Sequence, residues 1–237
     1  MYGGAALKIS AFSIALTLST ALTAQRPDAA AILRDLDAAN QARYDHVLSF
    51  TDVEHYTVFR GKDQAHPAAE MTVRTTYEKG IGKSYAILAQ SGSELVLKFG
   101  LRPLLENEKA INDPANVAQS WFTSANYEMH LKPGVSQVID GRICLALAMT
   151  PRRKAPNMID GTLWVDAGNH MLVEVEGTAS KSPSVFAGTT RMMRRYANLQ
   201  GNAMAVHARA ESSSILFGET VITIDYSDYH VELRSLP

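Results

Sequence analysis

Seven histidines are the side chains of this 237-residue chain best suited to bind a metal or act as a base. None has a metal-binding spacing such as HExxH, and His55, His130 and His207 stand alone on predicted strands. Two aspartates and a histidine lie close together at 225–230, as is common where strands end in solvent. The sequence therefore predicts no metal site.

Other patterns that carry chemistry are also incomplete. The run Gly80–Ser84 resembles the end of a phosphate-binding loop, but Tyr77 stands where that loop needs a glycine, and the run joins two predicted strands. No serine lies in a G-x-S-x-G elbow. Cys144, the single cysteine, lies in an apolar run and is predicted to be a small buried hydrophobe. Glu174 and Glu176 share one face of a strand, which we expect to be solvated. We therefore expect no enzyme and no cofactor.

Charge limits the choice of partners. The chain has 23 basic and 24 acidic residues, and this balance argues against binding to nucleic acid. The basic run at 151–154 is predicted to be a solvated loop, or alternatively a contact for an anionic partner or membrane surface. Arg191, Arg194 and Arg195 share one predicted strand and should face both ways, and any arginine facing inward needs a partner.

The N-terminus has the pattern of a secretory signal. Lys8 is the only charged residue before Arg26, and an apolar stretch at 9–22 is too short to span a membrane as a helix. We expect a signal peptide at 1–24, with cleavage after Ala24 or at Thr23 or Ala21. An uncleaved anchor is the alternative. The remainder, 25–237, is predicted to form a single domain, and we expect a monomer in the periplasm.

The elements that follow are mostly strands. Apolar spacing predicts a helix over 28–47 and two short helices over 101–111 and 114–122. Period-two alternation and short turns predict about eleven antiparallel strands. One of these predicted strands covers 94–99. The prediction is a mainly β fold in which a single curved sheet has helices on its concave face.

A family resemblance rests on the segment 140–177. Asp140-Gly141 opens a strand ending in Leu145-Ala146-Leu147, a loop leads to Leu163-Trp164-Val165-Asp166, and a turn leads to Met171–Gly177. This pattern resembles the outer-membrane lipoprotein-sorting family, which includes LolA, LolB and RseB, and it is most similar to the RseB-like branch. The resemblance implies a half-open barrel whose helices close a hollow that takes acyl chains.

The function implied by the resemblance is a periplasmic carrier or sensor for lipid or lipoprotein acyl chains. On apolar character and strand alternation we expect ten residues to line the hollow: Tyr85, Leu97, Trp121, Phe122, Leu147, Trp164, Val173, Met192, Val206 and Ile224. Trp164→Asp should then weaken lipid binding.

Three other functions stay open at this point. The first is an RseB-like regulatory module that contacts a membrane-anchored protein partner. The second is a structural exported β-domain with a closed core and no ligand. The third, a hydrolase, would need a catalytic set that the sequence does not display.

Overall fold

The computed structural model describes residues 28–235 except 62, 156, 182–187 and 215–217. This part of the chain begins with a helix, α1 (Ala29–His46). Asp28 caps the helix, since its carboxylate accepts a hydrogen bond of 3.0 Å from the Ala30 amide. Ile32 and Leu36 are its buried residues. The helix predicted over 28–47 is confirmed. The signal peptide predicted at 1–24 lies outside the described residues.

After this helix, the described residues form ten antiparallel strands. The predicted single antiparallel sheet is therefore confirmed, with ten strands where about eleven were expected. The strands are β1 (Val47–Arg60), β2 (Ala69–Glu78), β3 (Gly82–Gly92), β4 (Tyr127–Ile139), β5 (Arg142–Pro151), β6 (Ile159–Asp166), β7 (Leu172–Ala179), β8 (Arg191–Leu199), β9 (Asn202–Ser214) and β10 (Gly218–Leu233).

The order of the strands joins two meanders through the first and last strands. The sheet runs β3-β2-β1-β10-β9-β8-β7-β6-β5-β4, so β10 lies between β1 and β9. Val47 pairs with Leu233 at one end of the β1–β10 ladder, and Arg60 pairs with Thr220 at the other. Because β3 and β4 form opposite edges, the sheet is open and does not close into a barrel.

The segment predicted as a strand over 94–99 is helical, so that prediction is wrong. It forms α2 (Glu94–Val96) and a π-helical turn (Leu97–Leu101), which continue into α3 (Arg102–Ile111). Leu97, Leu101 and Leu105 recur every four residues and are all buried, so they form one buried row along the continuous helical segment. The helix predicted over 101–111 is confirmed, whereas 114–122 holds only a short 3-10 helix, Val117–Ser120.

The two largest hydrophobic cores lie on the helix-bearing face of the sheet. The first joins Ile32 and Leu36 of α1 to residues of β4–β8, including Leu147 and Leu163. The second joins the helical segment 94–111 to β1, β2 and the inner side of β9 and β10. No helix in the described ranges is both long and apolar enough to cross a membrane.

Candidate functional site

A hollow of about 450 Å³ separates the two cores on the concave face. Leu36 of α1 contributes to one wall and Leu104 of α3 to the other. The floor is formed by inward residues of β8, β9 and β10, among them Ala208 and Ala210. Both alanines lie on the inward face of β9 because side chains alternate between the two faces of a strand. Their small side chains leave space that larger residues would fill. The hollow is of the size of small-molecule sites, about 300–1,000 Å³.

Four of the ten residues predicted to line the hollow do so. Trp121 and Phe122 approach it from the segment before β4, Met192 from β8 and Ile224 from β10. Trp121 and Phe122 are each partly exposed, whereas Ile224 is buried. These four lie on strand faces or loops turned toward α1 and α3.

Three more of the ten lie in the flanking cores and not in the lining. Leu147 is fully buried in the core under α1. Leu97 is buried in the core under α3, and Tyr85 packs against that core. Their side chains support the walls of the hollow from behind.

Trp164, Val173 and Val206 do not line the hollow, and for these three the expected position needs correction. Trp164 and Val173 form a separate cluster with Ile139, Cys144 and Ala146. Leu163 and Val165, the neighbours of Trp164, face the core under α1, so alternation places the indole on the opposite face of the sheet. Val206 lies where the β8–β9 register shifts and has no strand partner in that ladder.

The prediction that Glu174 lies on a solvated face is also wrong. Its side chain is buried and its Oε2 lies 2.6 Å from Arg195 Nε, whereas Glu176 is exposed and accepts a hydrogen bond from the Trp164 indole. Cys144 is fully buried, as predicted, and burial raises the pKa of its thiol. None of these residues lines the hollow.

A charged network crosses the hollow from strand to helix. Lys83 Nζ lies 3.6 Å from Glu54 Oε1 and 3.9 Å from Glu108 Oε2. Arg194 Nη2 lies 3.4 Å from Glu108 Oε1. Burial alone would raise the pKa of the Glu108 carboxyl, but the charges of Arg194 and Lys83 hold it below its ordinary value. The prediction that an inward arginine of β8 needs a partner is confirmed by Arg194.

A row of polar side chains on β1 was not found from the sequence. Asp52, Glu54 and Tyr56 are all buried and point to the concave side, with the Tyr56 hydroxyl donating to Glu54. Burial, with the nearby charge of Glu54, raises the pKa of Asp52 to about 7. The signal was the alternation of these residues with Val53 and His55, but alternation alone does not say which face is inward.

The described residues hold no group of three or more His, Cys, Asp or Glu side chains placed to bind a metal ion. His207 Nδ1 lies 2.7 Å from Asp225 Oδ1, but this pair is not part of the hollow. What the hollow offers is an apolar floor, two aromatic residues near 121 and several paired charges. This arrangement suits binding of an amphiphilic molecule.

Comparison with known proteins finds similarity in structure. No family model and no curated protein matches the sequence. A LolA superfamily protein from Nitrosomonas europaea is 16% identical with a TM-score of 0.44, covering 88% of this chain and 94% of that chain. A DUF1329 family protein from Desulfovibrio piger is 16% identical with a TM-score of 0.43, covering 85% and 92%.

A putative outer membrane lipoprotein-sorting protein domain from Vibrio parahaemolyticus is 11% identical with a TM-score of 0.44, covering 84% of this chain and 93% of that chain. The similarity to these three solved structures is one of overall structure, at identities of 11% to 16%.

Proposed function

We propose that this protein is a carrier or sensor that binds the acyl chains of a lipid or lipoprotein in the hollow between its sheet and its helices. The observation that carries the proposal is the hollow of about 450 Å³ with its floor of small and apolar side chains. It needs no catalytic group, because transport or sensing requires only binding and release. We propose no enzymatic activity for this site.

The energetics of such binding are favourable. Each methylene moved from water into an apolar site contributes about 0.8 kcal/mol. A long acyl chain would thus gain on the order of 10 kcal/mol before the costs of ordering the chain and losing its free translation. Because Ala208 and Ala210 leave room on the floor, the chain can contact the sheet without displacing a core side chain.

The proposal includes the periplasm as the location, since the sequence of residues 1–24 has the pattern of an exported chain. The sequence motif at 140–177 is similar to that of proteins handling lipoproteins, which favours a lipidated or lipid ligand. A membrane-anchored protein partner, which a sensor would need, is part of the same proposal.

Filling the hollow tests the proposal. Ala210 pairs with Ile222 and Met192, and all three line the hollow, so Ala210→Trp places an indole in the space an acyl chain would use. Displacing only two methylenes costs about 1.6 kcal/mol, more than a tenfold loss of affinity. The measurement is the Kd of a fluorescent acyl probe, together with mass spectrometry of organic extracts from the purified protein.

The matched control is Ala86→Trp. Ala86 is exposed on β3 opposite Arg74 and does not line the hollow. We expect wild type and Ala86→Trp to bind the probe equally and Ala210→Trp to bind it at least tenfold more weakly. A clean extract and no probe uptake by the wild type would refute acyl binding and leave a protein partner as the function to pursue.

A further inference from the structure

Arg43 is a basic side chain in the wall of the hollow. It lies in the last turn of α1, beside Phe50, Tyr77, Asn112 and Trp121. Its guanidinium is thus placed where the aromatic side of the hollow meets the end of α3. A permanent positive charge in such a wall requires compensation.

The other basic residues of the lining already have that compensation. Lys83, Arg194 and Arg209 each lie at ion-pair distance from a carboxylate. Arg43 makes no ion pair with any described residue, and its buried Nε has no hydrogen-bond partner among them. The residues that the structure does not describe include no aspartate or glutamate, so no side chain from them can supply the missing carboxylate.

The positive charge of Arg43 acts on the phenols of Tyr77 and Tyr196. Burial raises the pKa of Tyr77, and the positive charge of Arg43 opposes that rise. Burial also raises the pKa of Tyr196, opposed first by Arg194 and then by Arg43. Both phenols are therefore neutral at ordinary pH, and they leave the charge of Arg43 unbalanced.

We propose that Arg43 binds the acidic headgroup, a carboxylate or phosphate oxyanion, of the amphiphile whose chain occupies the hollow. The inference rests on the proposed acyl-chain function and narrows its ligands to anionic amphiphiles. A guanidinium presents paired N–H donors that match two oxygens of such a group, and the bonds are strengthened by charge. The apolar floor then takes the chain while Arg43 fixes which end of the ligand lies beside α1.

The test compares ligands that differ only in headgroup charge. Isothermal titration calorimetry would measure the Kd of a long-chain fatty acid and of its methyl ester for wild type and Arg43→Gln. Charge-assisted hydrogen bonds are worth enough for a preference of tenfold or more. We expect wild type to prefer the acid by at least tenfold, and Arg43→Gln to bind both ligands with the affinity that wild type has for the ester.

Two further variants control for charge and for the substitution itself. Arg34→Gln removes an exposed arginine from the same helix, whose Nη2 lies 3.9 Å from Asp28 Oδ2. This variant should keep the preference for the acid. Arg43→Lys keeps the charge and should retain part of the preference. Inorganic phosphate serves as a competitor, because a site for free anions would release the fatty acid at millimolar phosphate.

The outcomes separate the two proposals. If wild type binds neither amphiphile, the acyl-chain function itself fails. If wild type binds acid and ester equally, or Arg43→Gln keeps the tenfold preference, the hollow stands and the headgroup site is refuted. Competition by free phosphate that depends on Arg43 would also refute it, in favour of a free-anion site. The comparison of acid and ester on wild type needs no variant, so it can refute the headgroup site even if Arg43→Gln folds poorly.

Discussion

Asp52 should make the stability of this protein fall as the pH rises, and Asp52→Asn should remove that dependence. The carboxyl is buried on the concave face of β1, two residues from Glu54. Burial, then the charge of Glu54, raises its pKa from 3.8 to about 7. Asparagine has nearly the same shape as protonated aspartic acid but cannot ionise.

The sign follows from proton binding. Between about pH 4 and pH 7 the folded protein holds a proton on Asp52 that the unfolded chain has released, so stability falls as the pH rises. At about 1.4 kcal/mol for each pH unit between 3.8 and about 7, the loss amounts to about 4 kcal/mol. Below pH 4 Asp52 is protonated in both states and costs no stability, and above pH 7 it is ionised in both states and no further stability is lost.

Urea denaturation of wild type and Asp52→Asn at several pH values from 4 to 8 measures this effect. The variant should match wild type at pH 4 and exceed it by about 4 kcal/mol at pH 8. Taking the difference between the two proteins cancels other titrating groups. Asp160→Asn, at an exposed position of β6, is the control and should run parallel to wild type. Parallel curves for wild type and Asp52→Asn would refute the reasoning.

Two further predictions concern positions outside the hollow. Trp164→Ala should lower the free energy of unfolding by about 3 kcal/mol in chemical denaturation, yet leave the acyl-probe Kd of the folded protein unchanged, because the indole is on the outer face. A tenfold higher Kd of the probe for Trp164→Ala would instead place Trp164 in the binding site. Gly161→Ala should cost about 2 kcal/mol, because a Cβ there would overlap the backbone at Glu176. Gly100→Ala, whose Cβ would meet only Val96 at 3.8 Å, should be neutral or slightly stabilising, and equal denaturation midpoints for the two glycine variants would contradict this.

Much of the sheet could be predicted because its connections are local. The turns at 80–82, 167–169 and 200–202 join neighbouring strands, and Gly80, Gln200 and Gly201 have the positive φ that such turns require. The pairing of β1 with β10 could not be predicted from the sequence, since no short-range pattern links residues so distant in the chain.

The face of each strand was the harder problem. Leu163, Trp164 and Val165 are all buried, so hydrophobicity could not show that only Trp164 faces away from α1. On β1 the inward face carries Asp52 and Glu54, the reverse of the usual polarity. Such residues can lie inside because a lysine and tyrosines from other elements accompany them, and those contacts are not readable from alternation.

The error at 94–99 has a different cause. Six residues with alternating apolar character fit a short strand as well as the start of a helix. The helix prevails because Leu97 continues a buried row through Leu101 and Leu105, which a strand ending at 99 would interrupt. The row is visible only across the whole segment 94–111, not within 94–99 alone.

The position of β10 has a consequence for biosynthesis. As the nascent chain emerges, β1–β3 and β4–β9 can each form hairpins locally, but β10 is the last of the described strands to be made. Until it arrives, β1 and β9 each present an unpaired edge, the kind of surface through which chains aggregate. We therefore expect completion of this sheet to follow synthesis of the whole domain, and a chaperone that shields strand edges to raise the yield of refolding.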